Sequence, residues 1–405
     1  MSRLLWTLVV SLGFLLSAVT SLAAGLGMEP GGPAPRAAER KKSAQEAAQP
    51  TKVSVTRLSS TAADNEPPAF RGISVNTWIA HLKDKDVPVR RAAATALAQR
   101  IDKVEPSAAV SKALLPVLFA TLKDTDTGVR RQAALAWVRF NRKTRLQERE
   151  AQVLLPVLLD ALQDSDASVR QRAAGSLVIV NRDPKVVLAP LTELLKDSDE
   201  GVRASAAGSL GRLGEPAKVA VPRLIAALKD SAPQVRSSAA HALGAIRSEA
   251  KAIVPALADA LKGPREPVAW ALGLNTPRAS AAGALGRFGS AAKTAVPAML
   301  KIFNDEGEYG FVRKRALMSL VEIDPEGEKT QAALVAALKD KEEEVQWTAA
   351  QLCEGLGPKA KAAVPALIAL LKDENVEDEK AYVRFCAGQA LKKIDPEAAK
   401  RAGVK

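Results

Sequence analysis

Apolar and small side chains return at helical spacing along most of this chain, and the pattern comes in units that repeat. In the unit from Val202 to Gln234, Val202, Ala206, Leu210 and Leu213 fall on one face of a helix. Gly214 follows where that stripe ends and suits a helix stop. The unit holds two amphipathic helices, and the next begins at Val235-Arg236. Equivalent starts of the second helix are Val89-Arg90, Val129-Arg130, Val169-Arg170, Val202-Arg203, Val235-Arg236, Pro277-Arg278, Val312-Arg313, Val345-Gln346 and Val383-Arg384. These nine copies are spaced by 40, 40, 33, 33, 42, 35, 33 and 38 residues.

The punctuation between helices is physical. Asp126, Asp166 and Asp199 stand two or three residues ahead of the second helix, where a side-chain oxygen can cap free backbone N–H groups. The first helix of most copies carries a proline: Pro116, Pro156, Pro190, Pro222, Pro255, Pro297 and Pro365. A proline inside a helix removes a backbone bond and bends the axis, which predicts kinked first helices. Two such helices cannot bury their apolar faces alone, so the pairs must stack and share a continuous core. At a helix spacing of ~8–10 Å, nine pairs predict a curved rod on the order of 80–90 Å long.

The VRxxAAxxLGxLG form of the copies resembles HEAT repeats, and in its shortness the bilin-lyase-like bacterial subgroup of them. The resemblance covers roughly residues 73 to 396. It implies an all-α, right-handed alpha-alpha superhelix of about nine helix pairs, with the second helices lining the concave surface. It also implies a ladder in which a turn aspartate and a second-helix arginine lace adjacent repeats. Matching pairs stand six residues apart: Asp84 and Arg90, Asp124 and Arg130, Asp164 and Arg170, Asp197 and Arg203, Asp230 and Arg236. Gln346 replaces the arginine in the eighth copy, and the sixth copy has no aspartate at the matching place. The resemblance speaks to fold; repeats of this kind serve many unrelated partners.

Composition agrees with the periodicity. Apolar residues make up 47% of the 405 and aromatics only 4%, with alanine and leucine, both strong helix formers, in the majority. The formal charge is +13, which favours acidic partners and also serves solubility. Cys353 and Cys386 are too few for a disulfide framework or a cysteine zinc site. Their helical positions read as buried packing, with a bond between them as the alternative.

The N-terminal region differs. Met1 to Ala23 reads as a secretory signal: Arg3, an apolar stretch from Leu4 to Leu16, then Ser21-Leu22-Ala23 with small residues at both specificity positions. The apolar stretch is short for a ~30 Å hydrocarbon core, so cleavage after Ala23 is expected, with an uncleaved anchor as the alternative. Residues 24–70, rich in Ala, Pro, Gly, Glu, Lys and Ser, read as a disordered linker. Residues 71–405 are the solenoid. The expected location is outside the cytoplasm, periplasmic or secreted, with membrane contact only if the signal stays attached.

Candidate chemistry is sparse. His81 and His241 are the only histidines, and neither has partners at metal-ligand spacing. The HEAT-like hydroxylases use His-Glu pairs, which this chain lacks. The Asp-x-Asp pairs lack the glycine and distal glutamate of a calcium loop. There is no phosphate loop and no nucleophile motif. No catalytic residue, metal or cofactor is expected.

Partner-binding candidates come from departures from the repeat. The turns between paired helices are lengthened at Gly263 to Thr276 with Trp270, at Asp305 to Phe311 with Tyr309, and at Glu374 to Tyr382. These predict a rim along one edge. Arg142, Lys143, Arg145 and Arg149, with Arg131 and Arg139 nearby, make the most basic stretch. Two residues after each start stand Arg91, Arg131, Gln171, Ala204, Ser237, Ala279, Lys314, Trp347 and Phe385, a column expected on the exposed face of the second helices. Trp347 and Phe385 are candidate protein-contact anchors, with capping of the solenoid end as the other reading. The function expected is a non-catalytic scaffold for a protein partner. The alternatives are a binder of acidic polymers through a basic surface, or a subunit of a lyase-like enzyme. Nucleic acid is disfavoured, because the chain reads as exported and lacks interleaved stacking aromatics.

Overall fold

The computed structural model describes residues 75–101, 108–141, 148–265, 276–372 and 378–404. The chain divides into two units, Met1–Ala63 and Asp64–Lys405, and every described residue belongs to the second. The signal and most of the linker expected from sequence lie outside the described residues.

The described residues form helices and turns, with no strand among them. The first helices of the pairs are α1 (Val75–Leu82), α3 (Ala108–Thr121), α5 (Glu148–Ala161), α7 (Pro184–Glu193), α9 (Val221–Ala227), α11 (Ala250–Ala260), α13 (Val296–Phe303), α15 (Glu328–Ala337) and α17 (Val364–Leu371). The second helices are α2 (Val87–Arg100), α4 (Thr127–Asn141), α6 (Ala167–Val180), α8 (Glu200–Leu213), α10 (Pro233–Ile246), α12 (Pro277–Gly286), α14 (Gly310–Ile323), α16 (Glu343–Leu356) and α18 (Asp378–Ile394). A short α19 (Pro396–Arg401) packs on α18.

Several second helices start where a side-chain oxygen meets their free N–H groups, whereas α10 starts after Ala232 with no such cap. Asp126, Asp166 and Asp199 accept from the N–H groups of Val129, Val169 and Val202 at 2.9, 3.2 and 3.0 Å. From there one stripe faces inward: Val202, Ala206, Leu210 and Leu213 are all buried. Burying one such leucine contributes ~1.5–3 kcal/mol, and stacking joins these stripes into one continuous core. The largest buried side chain, Trp137 of α4, stands edge-on to Phe119 of α3 with ring centroids 5.6 Å apart.

The two rows pack differently. Neighbouring second helices lie closely against one another along their row, whereas neighbouring first helices barely touch. The second helices therefore form the inside of the curve. Small residues make that approach sterically feasible. A Cβ on Gly211 would sit 2.8 Å from the Ala242 Cα, and one on Gly244 would sit 2.8 Å from the Ala284 Cα. Sequence placed a helix stop at Gly214, and Gly214 does close α8 with φ +74°. Gly211 instead lies inside α8 and lets α10 approach.

The prolines divide into two groups. Pro116, Pro156, Pro190 and Pro255 lie inside α3, α5, α7 and α11. Pro222, Pro297 and Pro365 instead stand in the first turn of α9, α13 and α17, where a proline's missing N–H leaves no bond unmade. Each of those three helices follows a 3-10 segment, Glu215–Ala220, Gly289–Ala295 and Gly357–Ala363. The expected kink is there a break between two helix types.

Candidate functional site

The arginine that opens each second helix reaches in two directions. Arg170 Nη1 donates to the carbonyls of Asp164 and Ser165 in its own turn, at 2.8 and 3.2 Å. Its Nε and Nη2 form a fork on the carboxylate of Asp197, one copy on, at 2.8 and 2.7 Å. Arg90 with Asp124, Arg130 with Asp164 and Arg203 with Asp230 repeat the arrangement. The pairing expected from sequence is thus corrected by one copy. The aspartate six residues back supplies its carbonyl oxygen, as Asp84 does to Arg90, Asp124 to Arg130, Asp197 to Arg203 and Asp230 to Arg236. Its carboxylate is turned away because Oδ1 accepts the N–H two residues on, at 2.8 Å from Asp166 N to Asp164.

The ladder continues where its consensus lapses. Arg278 donates to the Gly263 carbonyl and pairs with the buried Glu308, so a glutamate stands in for the aspartate. Arg313 pairs with Asp340, and Gln346 keeps the carbonyl half of the pattern, donating to Asp340 O at 2.6 Å. Burial alone would push the carboxyls of Asp124, Asp164, Asp197 and Asp230 up. The arginine hydrogen bonds, with a backbone N–H to each, outweigh burial and hold all four below the ordinary aspartate range.

In the column two residues after each start, Arg91, Arg131 and Lys314 reach sideways to the next copy. Arg91 pairs with Asp126 and Arg131 with Asp166, each at 2.5 Å. Ser237 bonds Ser280 at 2.6 Å in buried surroundings, and Ala279 is buried. Lys314 pairs with Glu344 and lies 5.4 Å from the Trp347 ring centroid. Trp347 meets Tyr382 edge-on at 5.8 Å, and Tyr382 stacks with Phe385 at 6.4 Å. Gln351 donates to the Tyr382 hydroxyl at 3.1 Å. Trp347 is half-buried, whereas Tyr382 and Phe385 keep 44% and 59% of their surface exposed.

Of the rim candidates, Tyr309 and Phe311 stack at 5.7 Å, both half-buried against the core, with the Arg265 guanidinium 4.1 Å from the Tyr309 centroid. They hold their turn instead of projecting from it. Trp270 lies outside the described residues, as do Arg142, Lys143, Arg145 and the side chain of Arg149. Arg139 is half-buried and donates to the Ala98 carbonyl at 2.6 Å.

The inner face itself is lined by residues three, six and ten after the start, of which sequence reading singles out only Arg139 as a binding candidate. Two hollows lie there. One, of about 410 Å³, is lined by Val138, Arg172, Gly175, Ile179, Ser205 and Arg212 among others. The other, of about 130 Å³, brings together His241, Arg287, Arg315 and Glu322. The signal was present in the sequence as arginines scattered over those positions, Arg172 and Arg315 three after the start and Arg139, Arg212 and Arg287 ten after it.

Cys353 and Cys386 are buried and free, and burial pushes the Cys353 thiol up to about 12. His81 stands edge-on to Trp78, and His241 Nδ1 lies 3.1 Å from the Ser237 carbonyl. Among the described residues no group of His, Cys, Asp and Glu is placed to hold a metal ion, and no helix is long and apolar enough to cross a membrane.

A family model described as HEAT repeats matches residues 75–160, 155–221, 188–274 and 331–402. Solved structures similar to the chain include Kap95p, at TM-score 0.53 and 13% identity over 81% of this chain and 53% of that one. Importin beta is similar at TM-score 0.50 and 14% identity, over 81% of this chain and 47% of that one. The CpcE–CpcF complex of phycocyanin lyase from Nostoc sp. PCC7120 matches at TM-score 0.38 and 23% identity, over 61% of this chain and 96% of that one. At that TM-score the last likeness carries no argument. No curated protein matches the chain.

Proposed function

This chain belongs to the HEAT-repeat family, and we propose that it is an exported, non-catalytic scaffold that docks a protein partner at the end of its second-helix row. The observation that carries this reading is the stacked pair Tyr382 and Phe385, exposed by 44% and 59% in the last copy. Arg91 and Arg131, at the position that Phe385 holds in its own copy, turn to the capping aspartate of the next copy. Here an aromatic surface, continued by Trp347, is left open instead. Tyrosine and tryptophan bring large contact area with little conformational entropy to lose, which suits them to anchor an interface.

The test is retention from envelope and culture-supernatant fractions, with the chain as bait at low and high salt. A discrete protein held at high salt by the parent, and lost with Tyr382→Ala/Phe385→Ala, is the expected result. Retention at low salt only, of polymers or many unrelated species, would overturn it in favour of an acidic-polymer binder. Export has its own measurement: the mature chain recovered from outside the cytoplasm should begin at Ala24. Recovery of the intact chain from the cytoplasm would sink that part of the reading.

A further inference from the structure

The second helices α4, α6 and α8 carry arginine at every charged position except Glu200 at the start of α8. Arg130, Arg170 and Arg203 are engaged in the ladder, and Arg131 is paired with Asp166. Arg172 and Arg212 differ. Arg172 Nη1 donates to the Ser168 carbonyl at 3.0 Å. Arg212 Nη2 donates to the Gly175 carbonyl at 2.5 Å and the Ser209 hydroxyl at 2.8 Å. Among the described residues neither meets a carboxylate, and both line the same hollow of about 410 Å³. Beside them Ile179 is 54% exposed, and Val138 forms part of the same wall.

The electrostatics point the same way. Partial burial pulls both guanidiniums below their ordinary value, and Arg131 and Arg139 add repulsion at Arg172. Asp166 acts against this at Arg172, but its carboxylate is held by Arg131 and the Val169 N–H. A cation partly withdrawn from water without a counter-charge is unfavourable, and an incoming anion relieves it.

We propose that this hollow between α4, α6 and α8 binds an acidic segment of a protein partner, with Arg172 and Arg212 taking a carboxylate and Ile179 and Val138 an aliphatic side chain next to it. The proposal rests on the scaffold reading and supplies a second contact, away from the aromatic end. A guanidinium fork matches a carboxylate in shape as well as charge. A long acidic polymer fits less well. It has no use for an exposed isoleucine, and the run of inner-face arginines meets Glu322 in the other hollow.

The experiment is fluorescence anisotropy of the full chain with a labelled short peptide of Glu, Leu and Gly. Controls are the same peptide with Gln for Glu, a Glu-Gly peptide, and heparin as a sulfated polymer. The parent should bind the Glu-Leu-Gly peptide and not its Gln form. Arg172→Gln/Arg212→Gln should weaken binding about tenfold or more, and Ile179→Ser should weaken the Leu-containing peptide alone. Arg172→Gln by itself, which gives up one bond to a carbonyl, keeps the test valid if the double variant unfolds. Equal binding by parent and Arg172→Gln would overturn the proposal, as would binding of heparin without the peptide. A partner still retained through Tyr382 and Phe385 while the peptide fails to bind would remove this site and leave the scaffold reading standing. Peptide binding without any such partner would do the reverse.

Discussion

Arg170 satisfies its donors on two sides of a repeat junction, and that division explains why the position takes arginine. A lysine ammonium can meet Asp197 or the two turn carbonyls, but it lacks the planar fork that meets all of them at once. The pair is largely withdrawn from water, with 15% and 9% of the two side chains exposed. Arg170→Ala leaves Asp197 without its cation and should cost about 2 kcal/mol in urea unfolding, with Arg170→Lys recovering less than half; a midpoint unchanged by the alanine would refute this. The four ladder aspartates add a pH dependence whose sign is fixed. Their carboxyls are lowered in the folded chain, so the unfolded chain binds protons first as pH falls. Their contribution is complete above an unfolded value of about 4 and drains away below it. Urea midpoints should therefore fall steeply between about pH 5 and pH 3 and lie flat from about pH 5 to 7. A flat profile through the acid range would contradict the geometry. Sequence identified the ladder residues but not their partners. Spacing along the chain reports neighbours within a copy, whereas the carboxylate fork crosses between copies. Arg172 and Arg212 escaped for a related reason: one residue along a helix turns a side chain by about 100°, so choosing the column at two instead of three exchanged the inner face for the seam.

Helix packing turns on where small residues fall. Glycine inside a helix costs about 1 kcal/mol relative to alanine, so replacing it is ordinarily favourable. At Gly208 a new Cβ meets nothing within 4 Å, whereas at Gly244 it would meet the Ala284 Cα and Cβ at 2.8 Å. Backbone cannot move aside as a flexible side chain can. Gly208→Ala should raise the thermal midpoint by a few degrees and Gly244→Ala should lower it, measured by circular dichroism on the full chain. The same sign for both variants would show that α10 and α12 are not held this close. Helix existence and order were legible from the recurring valine-arginine starts, because each apolar stripe has one way to be buried. The form of the first helices was not. Pro222, Pro255, Pro297 and Pro365 look alike in sequence, yet only Pro255 is inside its helix. Three of the four copies place a 3-10 segment ahead of the proline, whereas the copy with Pro255 runs as one helix from Ala250 to Ala260.

At the scale of the solenoid, successive helix pairs pack on one another, and the ladder ties most junctions separately, with Gln346 giving no carboxylate fork to the copy after it. Stability in such an array is close to a sum of intrinsic copy terms and nearest-neighbour terms. Damage at one junction should therefore stay local, which distinguishes this architecture from a globular core. The junction between the third and fourth copies is held by Arg170 and Asp197, by Gln171 lying across Gly201, and by the packing of α6 on α8. Arg170→Ala loosens that junction alone. The junctions around α14, α16 and α18 keep the Arg313–Asp340 and Lys314–Glu344 pairs and the aromatic contacts of Trp347 with Tyr382. Native-state hydrogen exchange on the variant should show faster exchange in α5 to α8 and unchanged protection in α14 to α18. Uniform loss of protection along the chain would mean that the nine pairs unfold as one cooperative body, and the nearest-neighbour account would have to be abandoned. The local outcome has a functional corollary. The Arg172–Arg212 hollow spans the loosened junction, so the variant should bind the acidic peptide more weakly while retaining a partner held at Tyr382 and Phe385.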